Sequence, residues 1–416
     1  MTESKLFRRD FTLVVIGQII SLFGNAVLRY ALPLYLLNET HSAALFGAVS
    51  ACAFLPMIFF SPIGGLVADR VNKRDIMVAL DFFTAAVVVL CALLLGKMSL
   101  PALLIAVLML LYGISGAYQP AVQASIPLLA AEKNLNSANA VINMVSSLSG
   151  LLGPALGGVV FSVFGIMPVL YISAGCFLFS AVMEIFIRIP FEKREQPGGI
   201  FKTAKSDLSQ GFRYISRDNP LLGRVGILLA AINCIFSALI LVGLPVIITE
   251  GLDFPQAVAN RLYGYAQAAM ALGGLLGGIG AMLLGGRLRI SKSYKLITAC
   301  TATLIPMGLA VFLKSAPMTA YIIIVLSCVV MMFLSAIFSI QIMSYGQKVT
   351  PGALLGKVMA MMSCMVLCAH PLGQLIYGFL FEKLAGAEHW IFAGAFLICL
   401  GVSVISKRLI SSVPEK

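Results

Sequence analysis

Charge is the first thing this sequence is short of. Only 11% of its 416 residues are Asp, Glu, Lys or Arg, against 60% hydrophobic residues and a mean hydropathy of +0.99. A soluble domain of that composition would expose apolar patches far larger than water tolerates, so a soluble fold is excluded. Histidine is scarce too, with three in the chain, and those are dispersed. A membrane-embedded enzyme needs His, Asp or Glu converging at one depth; with the few His dispersed, no catalytic residue is assigned. No polar stretch is long enough for the soluble module of a receptor or scaffold. No phosphate-cradling glycine loop appears, so no ATP and no cofactor are implied. The short alternating segments of an outer-membrane barrel are missing as well.

Nine cysteines are present, but they lie scattered within apolar runs and read as small packing residues, with no disulfide framework. Cys364 and Cys368 share a helix face, yet His370 points elsewhere and no fourth ligand is near, so no metal is expected.

What the sequence has is length of apolar run. A helix needs about 20 such residues to cross a hydrocarbon layer of roughly 30 Å. Twelve runs qualify, at 11–37, 43–66, 76–96, 100–125, 137–164, 166–188, 220–249, 260–284, 294–313, 317–342, 353–380 and 389–407. The fold class is therefore an all-α integral membrane protein. The first run is too long for a signal peptide and lacks a small-x-small cleavage site, so it is expected to stay as an uncleaved span. No lipidation motif is evident.

The net charge of +12 invites nucleic acid, but its distribution points to a bilayer. Of 29 Lys and Arg, all but Arg29, Lys97, Arg261, Lys314 and Lys383 fall on one side once the spans are threaded alternately. That asymmetry is the positive-inside pattern, and it places both termini in the cytoplasm. No nucleic-acid partner is expected; the basic loops face anionic lipid head groups.

The connection after the second run reads Gly64-Gly65-Leu66-Val67-Ala68-Asp69-Arg70-Val71-Asn72-Lys73-Arg74-Asp75. Two glycines let the end of the incoming helix approach a neighbour closely. An acid–base pair and two further cations follow, at little cost in cytoplasmic water. The stretch resembles the loop between helices 2 and 3 of the major facilitator superfamily of secondary transporters. That pattern runs G-x-L-x-D-R-x-x and then two basic residues; Gly64, Leu66 or Val67, Asp69, Arg70, Lys73 and Arg74 can be laid on it, with one residue of slack before the Asp. The resemblance implies two pseudo-symmetric six-helix bundles, alternating access, and a gate in which Asp69 meets the amino-terminal end of helix 11 and holds the cytoplasmic side shut.

The fifth run carries Gly153-Pro154-Ala155-Leu156-Gly157-Gly158. Glycine permits close helix approach, and proline removes a backbone hydrogen bond and makes the helix bendable. The sequence resembles the core G-P-x-x-G-G of the superfamily's exporter motif, with Ser149 replacing its leading glycine. Gly17-Gln18, Ser21-Leu22, Phe54-Leu55-Pro56, Gln119-Pro120-Ala121, Pro127-Leu128-Leu129, Arg188-Ile189-Pro190, Gly356-Lys357-Val358 and His389-Trp390 extend the resemblance along nearly the whole chain. It is to the bacterial drug-efflux branch that includes macrolide exporters.

Polar side chains at membrane depth are costly and usually face a cavity or one another. Asn25, Arg29, Tyr30, Asn143, Asn233 and Gln267 are candidate cavity residues. Interhelical hydrogen bonding is the other role open to the amides. Asp81, Glu184 and His370 are candidates for ion coupling. Asp81 could instead latch to an inner-loop arginine. Glu184 stands four residues before Arg188, the spacing of a local ion pair, and His370 could simply hydrogen-bond. Two departures bear on coupling. Where many drug/proton antiporters of the superfamily carry an acid in the first span this chain has Asn25, and its fourth span holds no arginine.

Between the sixth and seventh runs the composition turns polar. Phe201, Ala204, Leu208, Phe212 and Ile215 alternate with Lys202, Lys205, Arg213 and Arg217 in the pattern of an interfacial helix. Leu32-Pro33, Gly64-Gly65 and Gly153-Pro154 recur at near-constant offset as Leu244-Pro245, Gly285-Gly286 and Pro371-Leu372-Gly373. Such duplication fits two halves related by an axis along the membrane normal. The expected domains are 1–190, a linker 191–219 and 220–416. The sequence and the resemblance together predict a monomeric, multi-pass transporter of the bacterial inner membrane. It exports small amphipathic molecules, of drug or macrolide type, in exchange for protons. The same frame also serves other exporters and importers, of siderophores, lipids or sugars, because fold does not fix function.

Overall fold

The computed structural model describes residues 9–131, 134–190, 206, 209–284, 290–312 and 316–410. The first six long helices are α1 (Arg9–Thr40), α2 (Ala43–Arg70), α3 (Lys73–Leu94), α4 (Leu100–Leu129), α5 (Leu135–Phe164) and α6 (Ile166–Ile185). The next six are α7 (Pro220–Gly251), α8 (Gln256–Leu284), α9 (Tyr294–Ala310), α10 (Pro317–Val349), α11 (Leu355–Lys383) and α12 (His389–Ile410). Eleven of them are long and apolar enough to cross a membrane, and α9 is a shorter apolar helix. Each coincides with one of the twelve apolar runs.

Local chemistry sets the turns. Ser42 caps α2, its Oγ accepting from Leu45 N–H at 3.2 Å. The preceding His41 has φ of 49°, so the α1–α2 turn passes through the left-handed region. Asn72 caps α3 by accepting from Arg74 N–H at 3.1 Å, which leaves only Val71 and Asn72 between α2 and α3. Asn219 caps α7 just ahead of Pro220, whose missing N–H costs nothing in a first turn.

Two helices depart from regularity for identifiable reasons. Wide π turns interrupt α7 at Asn233–Ser237 and Ile247–Gly251. In the first, Asn233 Nδ2 donates to the Leu229 carbonyl at 2.9 Å; in the second, Thr249 Oγ1 donates to the Pro245 carbonyl at 2.9 Å. Side chains that bond back to the preceding turn compete with the backbone ladder in this way. In α9, the ring of Pro306 removes the N–H that Ala302 would receive, and the helix breaks at Thr303.

The chain forms two compact units. One holds α1 up to Leu36 and the chain from Cys52 through α6; the other holds Leu37–Ala51 and the chain from α7 onward. In the first, α3 packs along both α4 and α6, and its core includes Phe11, Val14, Met77, Tyr118 and Ile142. In the second, α8 packs along α10, α7 along α11, and α9 along α12. Leu37–Ala51 is fixed there by polar contacts. Asn38 Nδ2 donates to Asn260 Oδ1 at 3.1 Å, His41 Nδ1 meets Glu250 Oε2 at 2.9 Å, and Ser42 Oγ donates to Glu382 Oε2 at 2.9 Å. Most of the expected interfacial helix (Phe201, Ala204, Leu208 and their neighbours) and the Gly285-Gly286 repeat lie outside the described residues.

Candidate functional site

The polar groups of the first unit gather in two places. The deeper one joins four helices. On α1, Gln18 Nε2 donates to Tyr118 Oη of α4 at 2.6 Å, and Tyr118 O–H donates onward to Glu184 Oε1 of α6 at 2.6 Å. One turn along α1, Ser21 Oγ donates to Asp81 Oδ1 of α3 at 3.0 Å. Ser180 of α6 donates to the Gly17 carbonyl at 3.1 Å and stands beside Asp81. Asp81 is 2% exposed and Glu184 is fully buried. Among the described residues no cation pairs with either carboxyl, and Asp81 Oδ2, Glu184 Oε2 and Gln18 Oε1 have no hydrogen-bond partner.

The structure thus brings together two of the three candidate coupling residues. Both single-residue alternatives fall away. Asp81 bonds to Ser21 of α1, so it is not latched to an inner-loop arginine. Glu184 turns inward to Tyr118, because α6 ends at Ile185 and the four-residue spacing to Arg188 is no longer helical. Arg188 follows the helix end, its backbone N–H donating to Asp10 Oδ1 at 3.1 Å. His370 lies half-buried on α11 in the second unit and has no part in the cluster. Ser21, Tyr118 and Ser180 belong to the site and were not legible as such, since a hydroxyl in a membrane helix bonds most often to its own backbone.

The second place lies farther along α1. Asn25 Nδ2 donates to Ser115 Oγ of α4 at 3.1 Å, and the Arg29 guanidinium stacks 3.8 Å over the ring of Tyr112. Arg29 Nε and Nη2 are buried without a hydrogen-bond partner. Tyr30 is turned away, buried against Gly157 of α5. Asn143 is exposed on α5. In the second unit, Asn233 is occupied within α7, and Gln267 Nε2 donates to Tyr263 Oη within α8 at 2.7 Å.

At the α2–α3 connection, Gly64 faces α4 so closely that an added Cβ would sit 2.6 Å from Ala117 Cα, whereas Gly65 faces open space. Arg70 closes α2 and Lys73 opens α3. Arg74 Nη2 pairs with Asp75 Oδ1 at 2.7 Å. Asp69 is the penultimate residue of α2; its side chain lies outside the described residues. In the exporter-type motif, Pro154 sits inside α5, Gly158 is buried beside it, and Gly153 and Gly157 are pressed onto Ala26 and Val27 of α1. The two glycines of the loop should therefore separate in a stability measurement. Gly64→Val is expected to destabilise the detergent-solubilised protein by about 1–3 kcal/mol through overpacking. Gly65→Ala should be neutral or gain up to about 1 kcal/mol from helix propensity. Thermal unfolding of the two variants beside the parent chain checks both.

Comparison with known proteins adds to this geometry. The family model described as Major Facilitator Superfamily matches residues 14–373. Macrolide efflux protein A of Streptococcus pyogenes is 24% identical over 408 residues, covering 97% of this chain and 96% of its own. Multidrug efflux pump Tap of Mycolicibacterium fortuitum is 24% identical over 417 residues, with 98% and 96% covered. Among solved structures, nucleoside transporter NupG superposes with a TM-score of 0.71 at 14% identity over 96% of this chain and 98% of its own. A bacterial homologue of the iron transporter ferroportin, in an inward-facing state, superposes with a TM-score of 0.71 at 16% identity, with 97% and 99% covered. At such identities the solved structures speak for the fold alone.

Proposed function

The chain belongs to the Major Facilitator Superfamily, and from that premise we propose that it exports small amphipathic molecules, of drug or macrolide type, in exchange for protons. It does so as a monomer in the bacterial inner membrane with both termini cytoplasmic, working by alternating access. The observation that carries the coupling is the buried carboxyl cluster on α1, α3, α4 and α6. Two acids inside a membrane bundle, each with one oxygen held by a hydroxyl and one unengaged, form a site that takes up and gives back protons. The Gln18–Tyr118–Glu184 chain ties that event to α1 and α4, which also carry Asn25, Arg29, Tyr112 and Ser115. Protonation and substrate contact then act on the same two helices. Each ligand can shift the equilibrium only by distinguishing the two states, and shared helices supply a means of doing so.

Direction is supported by the relatives named for efflux and by the G-P-x-x-G-G core in α5. Asp69, at the carboxyl end of α2, is assigned the cytoplasmic gate: a carboxylate there is favourable near the positive end of a partner helix. The test is accumulation in energised cells of a labelled macrolide, a lipophilic cationic dye and an amphipathic carboxylate, each with and without a protonophore. Cells making the protein should hold several-fold less of at least one compound, and the protonophore should abolish the difference. Unchanged or increased accumulation of all three would overturn the exporter assignment.

A further inference from the structure

Arg29 is a cation in the middle of an apolar helix, where a charged side chain needs a specific partner. Its partners here are incomplete. The face of the guanidinium rests on Tyr112 at 3.8 Å, and no carboxylate reaches it among the described residues. Stacking on a ring engages the face of the group and leaves its N–H bonds unanswered. Nε and Nη2 are both buried and unpartnered. These two atoms lie on one edge of the planar fork, an edge that can receive both oxygens of a carboxylate in parallel. An unanswered pair of donors held out of water is costly, and a ligand oxyanion removes that cost.

The surroundings suit the same ligand. Asn25 and Ser115 hold each other at 3.1 Å one helical turn from Arg29, an amide and a hydroxyl able to hydrogen-bond an anion's neighbouring groups. Phe54 lies 4.9 Å from the Tyr112 ring and extends an aromatic wall for an apolar body. We infer that Arg29 is the recognition point for an oxyanion on the transported molecule, so the substrate is an amphipathic carboxylate or a close equivalent. Within the drug-type compounds proposed above this selects anionic members over tertiary-amine macrolides, which would bring like charge to an unpaired guanidinium. The edge is buried in this structure, so the anion reaches it through a local opening, while the guanidinium face keeps its place on Tyr112. The inference rests on the export assignment only for calling the bound molecule a substrate.

The test uses a matched pair of probes, 1-pyrenebutyrate and pyrenebutyl-trimethylammonium, which share a body and differ in charge. Their binding to the purified full chain is followed by fluorescence anisotropy in maltoside micelles free of added lipid, so that no head-group phosphate competes. The parent chain should bind the butyrate at least tenfold more tightly than the ammonium. Arg29→Gln should weaken the butyrate at least tenfold and leave the ammonium unchanged or improved. Arg29→Lys, which keeps the charge and loses the two-donor edge, should fall between. Benzoate should displace the butyrate from the parent chain, a measurement that needs no variant to fold. Equal or stronger binding of the ammonium, no binding of the butyrate, or a butyrate affinity indifferent to Arg29 would each overturn the inference. If butyrate binding depends on Arg29 while no protonophore-sensitive export is seen in cells, the anion site stands and the exporter assignment fails. The converse result removes the anion site alone.

Discussion

Glu184→Gln is expected to abolish uphill, proton-driven transport while leaving downhill movement of the same compound measurable. Glutamine keeps the oxygen that accepts from Tyr118 at 2.6 Å, so the contact between α4 and α6 survives. It cannot exchange a proton. In proteoliposomes, transport driven by an imposed pH gradient should fall at least tenfold, and exchange without a gradient should fall far less. Asp81→Asn should behave alike, because Asp81 occupies the same buried cluster through Ser21. The double variant should cost little more than either single one, as residues acting as a unit are not additive. Should both single variants retain full gradient-driven transport, the cluster is a packing device and the coupling group lies elsewhere. The pH profile separates these outcomes. Loss of a proton carrier flattens the dependence of transport on the imposed gradient, whereas a packing defect scales the whole profile down.

The second large effect is on assembly. Gly153 lies against Ala26 so tightly that any added Cβ would overlap that of the alanine. The clash is at Cβ, the one side-chain atom that no rotamer can move, so even Gly153→Ala must push α1 away from α5. Overpacking of this kind costs about 1–3 kcal/mol, and Gly153→Leu should cost more. Thermal unfolding in detergent should show a clear loss for Gly153→Ala and little folded material for Gly153→Leu. Placing Gly153→Ala together with Ala26→Gly moves one methyl across the contact and should recover most of the loss. A double variant no better than Gly153→Ala would mean that the glycine acts through backbone flexibility beside Pro154, with the close approach incidental.

The twelve-helix architecture was legible because a bilayer imposes a length on apolar sequence, and every run of that length became a helix. The polar cluster was not. Tyr118 and Glu184 are 66 residues apart in sequence, and their meeting depends on the rotation of α4 against α6. Local spacing misled at Glu184. Four residues to Arg188 is the interval of a helical ion pair, but the helix stops at Ile185. Nor did the glycine doublet reveal that Gly64 alone meets α4. Arg29 was visible as an intramembrane cation; that two donors on one of its edges are buried without partners is a matter of atomic placement that no sequence pattern carries.

The shortness of α9 reaches beyond the protein itself. At about 1.5 Å per residue, Tyr294–Ala310 spans about 25 Å, short of a hydrocarbon layer of roughly 30 Å. Lys292 and Lys295 stand at its start, long enough to stretch their ammonium groups toward head groups. A leaflet that follows so short a helix thins beside it, at a fraction of a kcal/mol for each ångström of mismatch. Acyl-chain length is therefore expected to act on this molecule, with short-chain lipids matching α9 better than thick, ordered bilayers.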